Sequence, residues 1–595
     1  MSVALTVQEP SAKYLVQTDA HQQAPLVRHF DVIAQAPGGV ARLRELILTL
    51  AVQGKLLPQD PNDEPARVLL KKIRTEKDRL IAEGKIRRDK PLAEIADEEQ
   101  PFGLPRGWEW VSLGDLVNAS EAGWSPTCIG SPRRIGHWGV LKVSAVSWGA
   151  FDANANKELP ADLAPRPQYE VQDGDFLLSR ANTEELVARS VVVGKAEPKL
   201  MLSDKIIRLD VSSHMSRLFL NLCNNAGHSR VHYAINASGT SSSMKNVSRE
   251  VVLRTPVPVP PLAEQSRIVT RVEELMRLCD ALEAKGRLET AQHTQLVNTL
   301  LGTLTESETP EQLADNWQRI AAHFDLLLDR PQAVDALEQT ILQLAVRGLL
   351  VPQDPQDEPA SALLKKVRLE KERLIAEGKI KRDKPLPPIA EDEQPFALPK
   401  GWSWTRFPDM CVISGGATPS KANQQNWVGT IPWVSPKDMK VPRILDAQDH
   451  VSDAAIRGSL SLIPSGSLLM VVRGMILAHS FPIAETLTPV TINQDMKALT
   501  PLDPSVLPYL TLLCRGLKPE ILALIDRSTH GTCKLESPKI FGKLLPFPPL
   551  AEQSRIVTRV TELRALCANL RTRLIASQST QAHLAEALIG EAVAA

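Results

Sequence analysis

Much of this chain occurs twice, and that duplication limits its possible architectures more than any other feature. His29-Phe30-Asp31 returns as His323-Phe324-Asp325, and at the same shift of 294 residues 51–110 align without gaps to 345–404, with 43 identities in 60 positions. A second block, PLAEQSRIVTRV at 261–272, recurs unchanged at 549–560. Between these blocks lie two stretches, about 111–255 and 405–543, that scarcely resemble each other. A solenoid needs three or more short units to bury a shared core, and two long units do not meet that condition. The order is framework, variable, framework, variable, framework.

The framework reads as helix. Ile268, Val272, Leu275, Cys279 and Leu282 follow the 4-3-4-3 spacing of a coiled-coil seam, repeated at Ile556, Val560, Leu563, Cys567 and Leu570, with helix expected to about Ile589. Upstream, Leu43, Ile47 and Leu50 form an apolar stripe ended by Gly54, copied as Leu337, Ile341 and Leu344 ended by Gly348. A further helix is predicted over 64–83, with Leu69, Leu70, Ile73, Leu80 and Ile81 inward and Gly84 at its close; its copy covers 358–377. Lys71, Lys72, Arg74 and Arg79 fall outside that stripe, either as a solvated face or as a partner or phosphate contact. A helix of about 30 residues spans roughly 45 Å, and consecutive half-sites on one face of B-DNA lie about 34–36 Å apart. Paired long helices thus suit the separation of two DNA-contacting domains.

The variable stretches read as α/β with many short strands, at 141–148, 175–179, 191–194 and 205–210 in the first and 431–434, 467–472 and 496–499 in the second. Polar loops near their ends, 238–246 and 529–534, carry hydroxyls, amides and lysines fit for phosphates and base edges. Arg180 and Asn182, and Arg473 in the second stretch, follow apolar strands and should emerge at strand ends. With these the candidate DNA contacts are Arg133, Arg134, Lys142, Ser241, Ser242 and Lys245 in the first stretch, and Ser420, Lys421, Lys437, Thr532 and Lys534 in the second. Any one of them alone reads equally as an ordinary loop residue.

Composition sets outer bounds. The chain has 595 residues, enough for three or four domains, and 43% of them are apolar. No apolar run is long enough for a membrane span, and the first thirty residues lack the core of a signal peptide. A cytoplasmic location is expected. The seven cysteines (Cys128, Cys223, Cys279, Cys411, Cys514, Cys533, Cys567) form no C-x-x-C pair and read as buried thiols rather than metal ligands. With 69 basic and 69 acidic residues, net charge does not advertise nucleic-acid binding, although each variable stretch carries a slight basic excess. The Pro-Pro pairs 260–261, 387–388 and 548–549 lack the flanking residues of an amino-methyltransferase motif, and no Walker A loop occurs. Catalysis within the chain is disfavoured on these grounds. A coiled-coil scaffold without a nucleic-acid role is the remaining competitor.

The borders of the variable stretches carry a resemblance. PF-x-LP-x-GW-x-W opening each stretch and P-x-PPLAEQ-x-RIV closing it resemble the edges of target recognition domains in specificity subunits of type I restriction–modification systems. Within them, 139–146, 174–182, 415–420 and 431–439 look like that family's core, and the resemblance covers nearly all of the chain except about the first 25 residues. It implies a mixed α+β (α/β) fold of two globular target recognition domains separated by long antiparallel coiled-coil helices, in a pseudo-twofold internal repeat. The expected boundaries are N-terminal framework helices 1–104, recognition domain 105–256, central helical region 257–398, second recognition domain 399–544 and C-terminal helix 545–595. The resemblance further implies a non-catalytic subunit that reads a bipartite, asymmetric double-stranded DNA target. Two modification (methyltransferase) subunits and two restriction (endonuclease/translocase) subunits are the implied partners. S-adenosylmethionine, ATP and magnesium would then belong to those partners, with no cofactor and no metal in this chain.

Overall fold

The computed structural model describes residues 25–594 apart from 89–91, 93–94, 148, 240–243, 383–385, 459 and 528–531. The chain divides into two compact units. One runs to residue 288 and takes back 578–595, and the other holds 289–577. Two long helices, Leu262–Thr305 and Leu550–Ala594, are the elements that each contribute to both units. The second continues five residues past Ile589, where the sequence pattern placed its end.

The framework of the first unit forms because its apolar stripes are complementary. Leu43, Ile47 and Leu50 on the helix Gly39–Val52 share one buried core with Ile268, Val272, Leu275 and Cys279 of the long helix, and with Ala585 and Ala592 from the end of the second long helix. In the other unit the helix Pro331–Val346 repeats this with Leu337, Ile341 and Leu344 against Ile556, Val560 and Cys567, joined by Val297, Leu301 and Leu304. The helix Ala66–Ala82 buries Leu69 and Ile73 fully, and leaves Leu70, Leu80 and Ile81 half-buried. Its copy is Ala360–Ala376.

Charge at the framework edge differs in sign between the copies. Arg44 meets Asp280 at 2.7 Å and Glu283 at 3.0 Å. At the duplicated positions stand Glu338 and Arg571, 2.9 Å apart, with Arg564 also on Glu338 at 2.6 Å. Such partly exposed pairs contribute little to stability, up to about 1 kcal/mol. Their reversal nevertheless matters for pairing, because exchanging the two framework helices would set Arg against Arg and Glu against Glu.

Each variable stretch is closed at its border by a two-stranded ribbon, Glu109–Ser112 with Pro256–Val259 and Ser403–Thr405 with Leu545–Phe547. Beneath the ribbon the Trp108 indole donates to Glu264 at 3.0 Å and to Gln59 at 3.2 Å, while Arg267 pairs with Asp63. The copy is Trp402 on Glu552 at 3.0 Å, Gln353 on Glu552 at 3.3 Å, and Arg555 with Asp357 at 2.7 Å. Burial pushes the Glu264 and Glu552 carboxyls upward, and the indole hydrogen bonds work against that shift. Gln265 completes the motif by accepting the Ser216 amide and donating to the Pro260 carbonyl.

Inside the borders both stretches adopt one topology despite their unlike sequences. The larger sheet of the first runs, in spatial order, Val117–Ala122, Ile206–Val211, Phe176–Ser179, Ser190–Val192, all antiparallel. Its counterpart runs Cys411–Gly415, Met496–Pro501, Leu468–Val471, Ile483–Thr486, with Arg443–Ile444 added in parallel. A smaller sheet sits beside each. In both, the middle strand (Gly139–Leu141 or Ile431–Val434) pairs antiparallel on one side and parallel on the other. The fold is thus mixed α+β, with a repeated framework and two related modules. Among the described residues no helix is long and apolar enough to cross a membrane.

Gly54 ends its helix at φ +68°, and a Cβ there would lie 2.5 Å from Pro105 Cγ and 3.0 Å from the Trp108 ring. Gly84 ends its own helix at φ +71° with open space around it. Replacing Gly84 by Ala should cost about 1 kcal/mol of backbone strain, and Gly54→Ala should cost clearly more. Urea-unfolding midpoints of the two variants check this; equal midpoints would contradict it.

Candidate nucleic-acid interface

In the first module the strand Phe176–Ser179 ends at Arg180, which is exposed. Its amide donates to the Lys205 carbonyl at 2.7 Å and its carbonyl accepts from Val247 at 3.0 Å. Asn182 lies opposite Lys245 in a short antiparallel ladder and donates to Ser147 Oγ at 2.8 Å. Lys142 begins the turn Val143–Val146 that leads to Ser147. The backbone therefore gathers Lys142, Arg180, Asn182 and Lys245 into one patch. Lys245 Nζ is used locally, donating to the Gly239 carbonyl at 3.1 Å. Ser241 and Ser242 lie outside the described residues.

Arg133 and Arg134 sit elsewhere in this module and are already engaged. The Arg133 guanidinium is 11% exposed and binds the carbonyls of His137 (3.1 Å) and Pro198 (2.7 Å) and the Glu197 carboxylate (2.8 Å). Arg134 forks onto the buried Glu158 carboxylate with contacts of 2.7 and 3.1 Å, and the outer edge of its guanidinium stays exposed. Hydrogen bonds from the Arg134 side chain and amide hold the Glu158 carboxyl down to about 2.

In the second module Arg473 is exposed just beyond the strand Leu468–Val471, and its amide donates to the Asp495 carbonyl at 3.2 Å. A single antiparallel bridge sets it beside Lys534, whose Nζ reaches Glu536 at 3.2 Å. Thr532 is exposed two residues earlier. Lys421 and Lys437 come together from different loops to line an open pocket of about 770 Å³, with Gln424, Trp427, Asn493 and Asp495 among its other walls. Ser420, also exposed, accepts the Trp427 indole N–H on its carbonyl at 3.3 Å. Trp433 donates its indole N–H to the Ala417 carbonyl at 3.0 Å, so both rings are anchored and meet edge to face at 5.1 Å. Neither Lys421 nor Lys437 has an ion-pair partner among the described residues.

The arrangement offers unpaired cations for phosphates and amide, carboxylate and aromatic groups for base edges. Sequence reasoning missed Lys205, Gln424, Trp427 and Asp495. The pocket joins 421–437 to 493–495, segments far apart in the chain, so no local pattern marks it. Among the described residues no His/Cys/Asp/Glu group has the geometry of a metal site.

The family model and two curated relatives agree on a class. A family model described as the type I restriction modification DNA specificity domain matches residues 399–577. The chain is 34% identical over 581 residues to the type I restriction enzyme EcoEI specificity subunit of Escherichia coli, spanning 93% of this chain and 94% of that protein. The EcoAI specificity subunit of the same organism matches at 34% over 582 residues, with the same shares. A solved structure described as the structural basis of complex assembly and conformational transition of the type I R-M system aligns at 18% identity with a TM-score of 0.45, covering 83% of this chain and 99% of that one. The family model and these two relatives define the class, a DNA-specificity protein. The chain belongs to the specificity subunits of type I restriction enzymes, and DNA sequence recognition is its function.

Two outcomes follow from this geometry. Lys421→Ala and Lys437→Ala should each weaken DNA binding uniformly across sequences and flatten the log K against log salt slope by about 1; an unchanged slope in titrations at several salt concentrations would contradict a phosphate role. For Arg134 and Glu158 the sign is that of a depressed carboxyl. The pair's stabilisation is complete above the ordinary value of 4.5 and is lost as pH falls through about 2. Arg134→Ala should therefore flatten the acid limb of thermal stability, read as the unfolding midpoint against pH.

Proposed function

We propose that the two modules read the two halves of a bipartite, asymmetric double-stranded DNA target. The duplicated framework would act as the ruler across the unread bases between them. The observation that carries this reading is one topology built twice with different side chains at its loop tips. Identical modules would favour a symmetric target; modules alike in scaffold and unlike at the tips favour an asymmetric one. Direct readout in this scheme falls to the loop groups around Arg180, Asn182 and Lys245 in one module and around Arg473 and Lys534 in the other, with Lys421 and Lys437 on the phosphates. Thr532 and Ser420 would assist, with Lys142 on the phosphates. Arg133 and Arg134 would act mainly by holding their loop in shape, with the exposed edge of Arg134 left for a phosphate.

The chain in this reading is not an enzyme. It directs adenine methylation or cleavage by partners, two modification subunits and two restriction subunits, that dock on the helical framework. S-adenosylmethionine, ATP and magnesium belong to those partners. What supports this is the absence from the sequence of the motifs such chemistry requires, together with the largely exposed stretch of the first long helix over 281–296. The cytoplasm, where DNA and these partners are found, is the matching location.

Replacing residues 111–255 by the corresponding stretch of another specificity subunit should alter one half of the target and leave the other as it was. Mapping methylated adenines in host DNA reads the outcome. A change in both halves, or in neither, would refute modular reading.

A further inference from the structure

One turn has the same construction in both modules and carries opposite charge. It leads into the second strand, in spatial order, of each larger sheet, Ile206–Val211 or Met496–Pro501. The turn is closed by the Ile206 amide on the Ser203 carbonyl at 3.0 Å, and in the other module by the Met496 amide on the Asn493 carbonyl at 3.3 Å. Its third residue supports the adjacent strand end in the same way. The Lys205 carbonyl accepts the Arg180 amide at 2.7 Å, and the Asp495 carbonyl accepts the Val472 amide at 2.8 Å and the Arg473 amide at 3.2 Å. Even the second residue is tethered alike, Asp204 by the Ser125 hydroxyl and Gln494 by the Thr418 hydroxyl, each hydroxyl lying just before a proline. Backbone and tether are thus retained while the third side chain changes from an exposed ammonium to a part-exposed carboxylate. Neither has an ion-pair partner among the described residues, and Asp495 shares its pocket wall with Lys421 and Lys437.

A carboxylate on a surface that must approach phosphates is repelled by them. Its retention there is explained if it meets a hydrogen-bond donor. Base edges in the major groove supply donors selectively: cytosine N4 presents an amino group to a carboxylate, whereas guanine O6 and N7 present acceptors to a lysine. We propose that Lys205 and Asp495 are specificity-determining residues at equivalent positions of the two modules. Lys205 donates to guanine O6 and N7 in one half-target, and Asp495 accepts from a cytosine amino group in the other. This rests on the reading of the modules as base-reading units and assigns the base class to a residue in each.

The test maps methylated adenines genome-wide in cells whose native chain is replaced by Asp495→Asn or by Lys205→Gln. Each substitution should relax selectivity at one base position of one half-target by roughly tenfold, the two variants affecting different halves. If Asp495→Asn methylates the native target with undiminished selectivity, the assignment is overturned. Loss of methylation at every site with both Asp495→Asn and Asp495→Glu would mark a folding or assembly role and overturn it equally. Exchange of the whole 111–255 stretch, run alongside, separates the two levels. If that exchange redirects one half-target while the point variants do nothing, the residue assignment alone fails; if the exchange too changes nothing, the modular reading itself fails.

Discussion

A buried carboxylate under an indole joins recognition to scaffold in this protein. Glu264 takes the Trp108 N–H, and Glu552 takes that of Trp402, each at 3.0 Å. Each bond ties the chain just before a module to the chain just after it, at a sequence separation of 156 residues in one case and 150 in the other. A carboxylate taken out of water is costly unless its partners are in place, so the border closes fully or not at all. That requirement leaves the interior of the module free to vary. Its two ends are fixed by ribbon and clamp whatever lies between them.

The side chains accordingly vary throughout the modules while the backbone plan is kept. The order of four strands, the turn before the second of them and the hydroxyl tether beside it recur, while Lys205 stands where the other module has Asp495. A similar economy operates in the framework, where Arg44 with Glu283 becomes Glu338 with Arg571. In both places geometry is held and charge is inverted. In the framework the inversion would set like charges together if the helices were exchanged, and at the tips it is the proposed basis for discriminating between bases.

The framework was legible in the sequence because its physics is local. The seam Ile268, Val272, Leu275, Cys279 and its copy needed only helical periodicity to be seen, and the helix-ending role of Gly54 and Gly348 follows from their left-handed φ. The border motif was legible as repeated letters, but its reason was not. Only packing shows that the Glu and Gln of PLAEQ serve Trp108 and the Ser216 amide. The kinship of the two modules was legible from their shared borders and family resemblance but not from their interiors, because strand pairing depends on alternating apolar residues of any kind and leaves almost no identities behind. For the site, strand-end residues such as Arg180 and Arg473 could be placed from the chain. Arg133 and Arg134 could not be separated from them, since a cation paired with Glu197 or Glu158 reads like any other until its partner is seen. The pocket between 421–437 and 493–495 depends on contacts between distant segments and left no trace in local spacing.

The central claim is that one chain carries two independent base-reading modules of unlike preference. Single-molecule mapping of adenine methylation in DNA from cells bearing the native chain tests it most directly. The account requires one target made of two dissimilar defined segments separated by a fixed run of undefined bases, with a methylated adenine in each segment. A single contiguous target, or one whose two halves are inverted copies of each other, would contradict it.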